Sequence, residues 1–456
     1  MYMRGFNFEE KKMDRDFIKE DIKKRPVNTA KVVKKTVTTV VMAIIFGVVA
    51  SLIILVLTPF LTKITTNSKT DSPTLVSFPE EEMSPEEMLS DVMMQESALA
   101  DMTSDELIDS SIELPLSEDQ VSALLSKIHF DATKYRQMLI SMSSYARELG
   151  NYMVTITAVK SSVDWLSSVN DSSNVTSGII VAENNVELLI LADSQALKNA
   201  DSITMSLRTG LTAKAYIKEI DEITGLAIIG VSLKDIPSDL DIDSYIAPLG
   251  SSSSIYVGMG VVAVGSPQGV PGSIGYGIVT AAKNMVSDVD TFLYSYQTDI
   301  LGSSNASGAL FNMQGQVVGI ITPRVNDTTD NTVVMVYGIT ELKDLIEKLS
   351  NSQKIGYLGI YGTNVTGEAN QQLGVPMGAY VTKTEMDSPA MLAGIQVGDV
   401  IVGIDEQSVN SFSEYVTILN KHKPDEEIML KVSRKSQSEY VEINIPLTIS
   451  SRNSEE

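Results

Sequence analysis

From residue 151 to residue 337 the chain breaks into short β-favouring runs separated by Gly, Ser, Asn and Asp, and no other feature narrows its fold as far. The runs span 153–159, 178–181, 188–191, 203–207, 213–220, 226–231, 255–264, 276–281, 292–297, 317–321 and 333–337. Many short strands with frequent turns give an all-β barrel or sandwich, and the pattern alone leaves both open. At 456 residues the whole chain has room for two or three domains.

The N-terminal part is built for a different solvent. No residue between Lys35 and Lys63 is charged, and the apolar run 37–61 is longer than the ~20 residues that cross a bilayer core as a helix. It lacks the short apolar region and small-residue cleavage site of a signal peptide, so a retained single transmembrane helix over 36–62 is expected. The first 35 residues hold eleven Lys and Arg, including Lys23-Lys24-Arg25 and Lys34-Lys35. The far flank has only Lys63 and Lys69 before it turns acidic. Basic residues stay on the cytoplasmic side, so segment 1–35 is expected inside the cell membrane and the bulk of the chain outside. A net charge of −23 argues against nucleic-acid binding. The absence of cysteine excludes disulfides and thiolate chemistry, and no metal or cofactor is implied.

Residues 63–130 are expected to form an acidic spacer with an amphipathic helix near its end. The stretch 64–116 is rich in Ser, Thr, Asp, Glu and Pro, with runs such as Pro79-Glu80-Glu81-Glu82, and reads as an extended, solvated tether. Ser117 and Gln120 then fit a capping box, with Val121, Leu124, Leu125 and Ile128 on one helix face. A second stripe follows at Tyr135, Met138, Leu139, Met142 and Leu149, suited to pack on the folded domain or on a neighbouring copy. His129, between the stripes, reads as structural or surface.

Within the β-rich stretch, phrases recur in a known order. Ala263-Val264-Gly265-Ser266-Pro267, Gly277-Ile278-Val279-Thr280-Ala281 and Gln297-Thr298-Asp299 precede Asn305-Ala306-Ser307-Gly308-Ala309-Leu310-Phe311-Asn312. Together they resemble the HtrA/Deg-type trypsin-like serine proteases. The resemblance implies a mainly β fold: a double β-barrel, trypsin-like domain over 131–350 behind the single transmembrane helix.

Acyl transfer by a hydroxyl needs a base within hydrogen-bond reach and a carboxylate to orient that base. Aligned with the family, the base slot in Ile190-Leu191-Ala192-Asp193-Ser194-Gln195 holds Gln195, whose carboxamide takes up no proton near neutral pH. The acid slot in Asp221-Glu222-Ile223-Thr224-Gly225-Leu226 holds Gly225. The nucleophile slot holds Ala306 when aligned on Leu310-Phe311-Asn312, and Ser307 when aligned on Gln297-Thr298-Asp299. Ser304 and Ser307 replace glycines that shape the family's oxyanion hole, which predicts a distorted hole. The only histidines are His129 and His422, one before the barrels and one near the C-terminus. A degenerate triad is the expectation under either alignment, with Ser307 as fallback nucleophile.

The helix expected over 340–349 closes the second barrel through Leu342, Leu345, Ile346 and Leu349. Residues 351–456 resemble the PDZ domain that follows the protease in this family, an α+β module. Its markers are Gly356-Tyr357-Leu358-Gly359-Ile360, Ser388-Pro389-Ala390 and Ala393-Gly394-Ile395-Gln396-Val397-Gly398-Asp399. The resemblance implies capture of peptide C-termini or unfolded proteins by strand addition, with backbone N–H groups on the carboxylate. Tyr357, Leu358, Gly359 and Ile360 would form the loop and strand, and Tyr415, Val416 and Leu419 the facing helix wall. Three functions follow as alternatives: a membrane-anchored pseudoprotease that binds peptides, an active or weakly active serine endopeptidase using Ser307, or a regulatory subunit of an active homologue. Family members form trimers through the barrel domain, so a homo-trimer or mixed oligomer is implied.

Overall fold

The computed structural model describes residues 73–79, 132–163, 169–326, 333–437 and 439–452, which lie within one compact unit, Thr70–Glu456. The basic segment, the transmembrane helix expected over 36–62, the helix expected from Ser117, and His129 lie outside the described residues. Among the described residues no helix is long and apolar enough to cross a membrane.

The short β runs close into two barrels, each of which removes its own sheet edges. The first comprises β1 (Met153–Val163), β2 (Val169–Glu183), β3 (Glu187–Asp193), β4 (Ser202–Leu207), β5 (Thr212–Asp221) and β6 (Leu226–Ser232), in the order β1-β2-β3-β6-β5-β4. The second comprises β7 (Gly260–Ser266), β8 (Ser273–Asp288), β9 (Thr291–Leu301), β10 (Ser307–Phe311), β11 (Val317–Ile321) and β12 (Val333–Gly338), in the order β10-β11-β12-β9-β8-β7. Strands β3 and β6 are apolar on both faces because they serve two cores. Leu188, Ile190, Ile229 and Val231 fill the first barrel, while Leu189, Leu191 and Ile228 pack outward with Val264, Ala309 and Phe311 of the second.

One expected strand is shortened here and one unexpected strand is added. The run 255–264 is a strand only from Gly260, because Ile255 and Met259 donate their N–H groups to the Ser252 and Tyr256 carbonyls in tight turns. Strand β10 was not legible as a strand, since Ser307-Gly308-Ala309 carries no β-branched side chain. It forms because its backbone lies unusually close to β7, where Ser307 pairs with Ser266 and Gly308 with Gly265.

Helix α1 (Ala132–Leu149) precedes the barrels and meets them through Tyr145, Ala146 and Leu149. Of the expected stripe Leu149 packs on the barrels, whereas Tyr135, Met138 and Leu139 remain exposed. The short α2 (Pro323–Asn326) leads to β12, and α3 (Ile339–Ser350) buries Ile339, Leu342, Leu345, Ile346 and Leu349 against the barrels. Part of the expected solvated spacer is instead docked. Val76 is buried in the main core and exchanges hydrogen bonds with the Asn351 side chain at 2.9 and 2.7 Å, while the Phe78 N–H donates to Glu347 at 2.9 Å. Two apolar side chains in an acidic background, with polar partners for their backbone, give residues 73–79 a reason to adhere.

The C-terminal module contains β13 (Gly356–Tyr357), β14 (Ile360–Asn364), α4 (Gly367–Leu373), β15 (Ala379–Thr384), α5 (Pro389–Leu392), β16 (Val400–Ile404), β17 (Gln407–Ser408), α6 (Phe412–Leu419), β18 (Glu427–Lys435), β19 (Tyr440–Thr448) and β20 (Ser450–Ser451). Its main sheet runs β14-β15-β16-β18-β19, which leaves β14 at an edge. Helix α6 starts where the Ser411 side chain accepts the Glu414 N–H and buries Phe412, Tyr415, Val416 and Leu419 against that sheet. Asp399 accepts the Gln396 N–H at 2.9 Å and pairs with Arg434, which organises the turn before β16.

Candidate functional site

Antiparallel pairing of β3 with β6 sets Asp193 opposite Leu226, so the turns after β3 and before β6 meet. The Ser194 N–H donates to the Gly225 carbonyl at 2.9 Å. The expected base and acid slots are therefore neighbours, but neither carries an ionisable group. Gln195 opens a 3₁₀ turn and is exposed. The buried Asp193 caps that turn by accepting the Ala196 N–H at 3.1 Å, and burial pushes its carboxyl up. Gly225 has φ +74°, a left-handed turn conformation, and a Cβ placed there would lie 3.3 Å from Arg324 Cδ. The nearby Asp221 is fully buried and engaged elsewhere, accepting from Thr224 N at 2.9 Å and Thr224 Oγ1 at 2.6 Å.

Ala306 is fully buried among the second barrel's apolar side chains. Its N–H points within its own loop and donates to the Ser303 carbonyl at 2.9 Å. Ser307 is also buried, and its Oγ accepts the Ser177 N–H at 3.1 Å across the barrel interface. Ser177 and Ser266 share a further hydrogen bond at 2.7 Å. The three serines thus knit β2 to β7 and β10. A cleft of about 360 Å³ lined by Ser177 has, among the described residues, Arg147 and Arg208 as its ionisable lining side chains. Guanidinium groups stay charged and cannot serve as bases. His422 lies in the C-terminal module, with Nδ1 3.0 Å from Glu426 Oε2.

The second candidate site is better furnished. The Leu358, Gly359 and Ile360 N–H groups converge, a geometry Gly359 permits with φ +83°; a Cβ there would sit 2.2 Å from Ser388 Cβ. Such a nest of successive N–H groups binds anions. Here it holds Asp290, from the hairpin turn between β8 and β9 of the second barrel. Asp290 Oδ2 accepts from Leu358 N at 2.7 Å and Gly359 N at 2.6 Å. Oδ1 accepts from Ile360 N at 3.1 Å and Tyr415 Oη at 2.6 Å. The Asp290 N–H in turn donates to the Ile360 carbonyl at 2.8 Å. Burial pushes the Asp290 carboxyl up while these four bonds pull it down, and burial beside Asp290 pushes the Tyr415 phenol well up. Phe292, two residues on, joins the apolar cluster of Leu358, Ile360, Tyr415, Val416 and Leu419.

The expected loop residues and helix wall are therefore brought together, around a side chain that sequence reasoning did not single out. Asp290 sits in Ser287-Asp288-Val289-Asp290, which reads as any hairpin turn. Arg452 was missed as well. Its Nε lies 3.1 Å from Asp221 Oδ1, and its Nη2 hydrogen-bonds Thr291 Oγ1, so the chain's C-terminal end grips both the acid-slot turn and the hairpin.

Residues 176–320 match the trypsin-like peptidase domain and residues 356–445 the PDZ domain. Fold and site thus define a trypsin-like double barrel coupled to a PDZ module. "Probable periplasmic serine endoprotease DegP-like" of Halomonas elongata is 28% identical over 276 residues, 59% of this chain and 56% of the relative. "Serine endoprotease DegS" of Haemophilus influenzae is 27% identical over 279 residues, 59% of this chain and 77% of the relative. The chain thus spans little more than half the length of the DegP-like relative. The solved structure of the HtrA-type protease AlgW with a decapeptide aligns with a TM-score of 0.51 at 21% identity, covering 68% of this chain and 99% of that one. The chain thus carries a trypsin-like peptidase domain followed by a PDZ domain, and over that stretch it is similar to HtrA/DegP-type serine proteases.

Proposed function

We propose that this chain is a membrane-tethered, catalytically inert HtrA-like protein that binds C-terminal or unfolded peptides through its PDZ edge strand at the cell envelope. The observation that carries the inert half is the content of the former catalytic centre. Gln195, Gly225 and Ala306 supply no base, acid or nucleophile, and the Ala306 N–H is engaged by Ser303. Ser307 offers no replacement, because its hydroxyl is buried on Ser177 and no lysine or histidine lines the adjacent cleft. Rates without a triad fall on the order of 10³-fold or more below the intact arrangement. The PDZ half is supported by the N–H nest and by β14 at the sheet edge, the two parts strand addition requires. Envelope placement is supported by the apolar run 37–61, by its basic flank, and by the word periplasmic in a relative's name.

The test uses the full chain in mild detergent. A fluorophosphonate probe should label it no more than a Ser307→Ala variant, and reduced, unfolded casein should survive overnight with both. Labelling or cleavage above the variant's level would establish an active serine endopeptidase instead.

A further inference from the structure

We infer that Asp290 is a built-in ligand of the PDZ carboxylate loop, so that a peptide C-terminus binds only by displacing the β8–β9 hairpin of the second barrel. This rests on the reading that the PDZ module takes peptide C-termini. The likeness extends beyond charge. Captured by strand addition, a terminal residue presents two carboxylate oxygens to the loop N–H groups, one backbone N–H to the adjacent strand carbonyl, and a side chain to the apolar floor. The hairpin supplies each. Asp290 gives both oxygens to Leu358, Gly359 and Ile360, its N–H goes to the Ile360 carbonyl, and Phe292 enters the cluster with Val416 and Leu419. The side-chain carboxylate stands where a terminal carboxylate would.

The occupant belongs to another domain, which makes the contact a latch. The hairpin is held from the other side by Arg452, whose guanidinium meets both Thr291 and Asp221. Displacing Asp290 leaves Arg452 as the module's remaining hold on the hairpin and on Asp221. Peptide arrival and latch opening are then one event, and the apparent affinity is the intrinsic one reduced by the fraction of molecules with the latch open.

Asp290→Gly is the variant of choice. Its φ is +44°, which glycine adopts freely, so the substitution removes the carboxylate without straining the turn. Full-length wild type and variant, in detergent, are titrated with fluorescein-labelled decapeptide pools that have an apolar last residue and either a free or an amidated C-terminus. Four charge-assisted hydrogen bonds should keep the latch more than about 90% closed, so the variant binds the free-carboxylate pool at least ~10-fold more tightly. The amidated pool should not discriminate between the two proteins. Without peptide, the Leu358, Gly359 and Ile360 amides should exchange with deuterium at least ~10-fold faster in the variant, while barrel strands keep wild-type protection and so report a folded protein. Equal affinity of both proteins for the free-carboxylate pool would overturn the latch and leave PDZ peptide capture standing. Unchanged amide protection in the variant would also overturn it. Binding by neither protein would remove the peptide-capture reading and the competition with it.

Discussion

Replacing Arg452 by methionine tests whether the ion pair between the PDZ module and the first barrel holds the two together. Asp221 is fully buried and the Arg452 side chain is 5% exposed, with Nε and Oδ1 3.1 Å apart. Neither atom has an aligned hydrogen-bond partner, so the attraction between them is that of two charges. At an effective dielectric of ~20 this is roughly 5 kcal/mol, and removing one member of such a pair typically costs ~3–5 kcal/mol because the other is left buried and uncompensated. Asp221 keeps the Thr224 N–H and hydroxyl on its other oxygen, which places Arg452→Met near the lower end, about 3 kcal/mol. Equilibrium urea unfolding of residues 70–456, followed by circular dichroism, gives the value. The double variant with Asp221→Asn should be less destabilised than the sum of the single ones by more than ~1 kcal/mol. A single-variant cost under ~0.5 kcal/mol, the size of an ordinary surface change, would refute the reasoning.

Three further outcomes are expected. Ser307→Ala should leave peptide binding unchanged yet cost about 1–2 kcal/mol in urea unfolding, since the buried Ser177 N–H loses its acceptor; a neutral result would mean that the serine contact does not hold the barrels together. Val76→Ala should cost about 1.5 kcal/mol by lost burial and speed proteolytic cleavage between residues 73 and 79, so unaltered cleavage would argue against the docked strap. Burial raises the phenol of Tyr357 to about 12 and lifts those of Tyr296, Tyr361 and Tyr415 as well. Because these acids hold their protons longer folded than unfolded, the stability they contribute is complete below pH ~10 and falls as pH rises from 10 through 12. Urea midpoints that stay level between pH 9 and 11 would contradict it.

The barrels were legible because their cores announce themselves. Ile203, Met205 and Leu207 alternate inward, and β3 and β6 have continuous apolar interiors because they are covered on both faces. Strand β10 was hidden, since what makes it a strand is not propensity but a backbone approach that only small residues allow: a Cβ on Gly308 would stand 2.3 Å from the Val264 carbonyl. Motif order assigns Gln195 and Gly225 to the base and acid slots, and the structure sets their turns side by side through the Ser194 N–H and the Gly225 carbonyl. The state of the loop could not be read. Whether the Ala306 N–H faces a cleft or the Ser303 carbonyl depends on one peptide plane, and no residue identity fixes that. Long-range partners were equally invisible. Asp290 looks like a turn former and Arg452 like a surface cation, and their roles arise from pairing with residues 68 or more positions away.

The N–H of Ala306 and the N–H groups of Leu358, Gly359 and Ile360 are all satisfied from within, but by different physics. At Ala306 the acceptor is a neutral carbonyl three residues away, reached through a tight turn. Reopening that donor requires a peptide to rotate against its own loop, and no charge is gained when it does. At Leu358, Gly359 and Ile360 the acceptor is a carboxylate in another domain, separated along the chain by 68 to 70 residues. A tethered ligand of this kind competes at an effective concentration set by its linkage, commonly in the millimolar range for flexible connections. A free peptide can match that if it adds contacts the hairpin lacks, and β14 offers them along an edge on which no strand among the described residues is paired. Asp290 and Phe292 imitate only the end of a peptide, whereas a true ligand continues as a strand. On the proposed latch, a ligand that continues along β14 has a route to reopen the carboxylate loop, whereas nothing comparable competes with the local turn at Ala306.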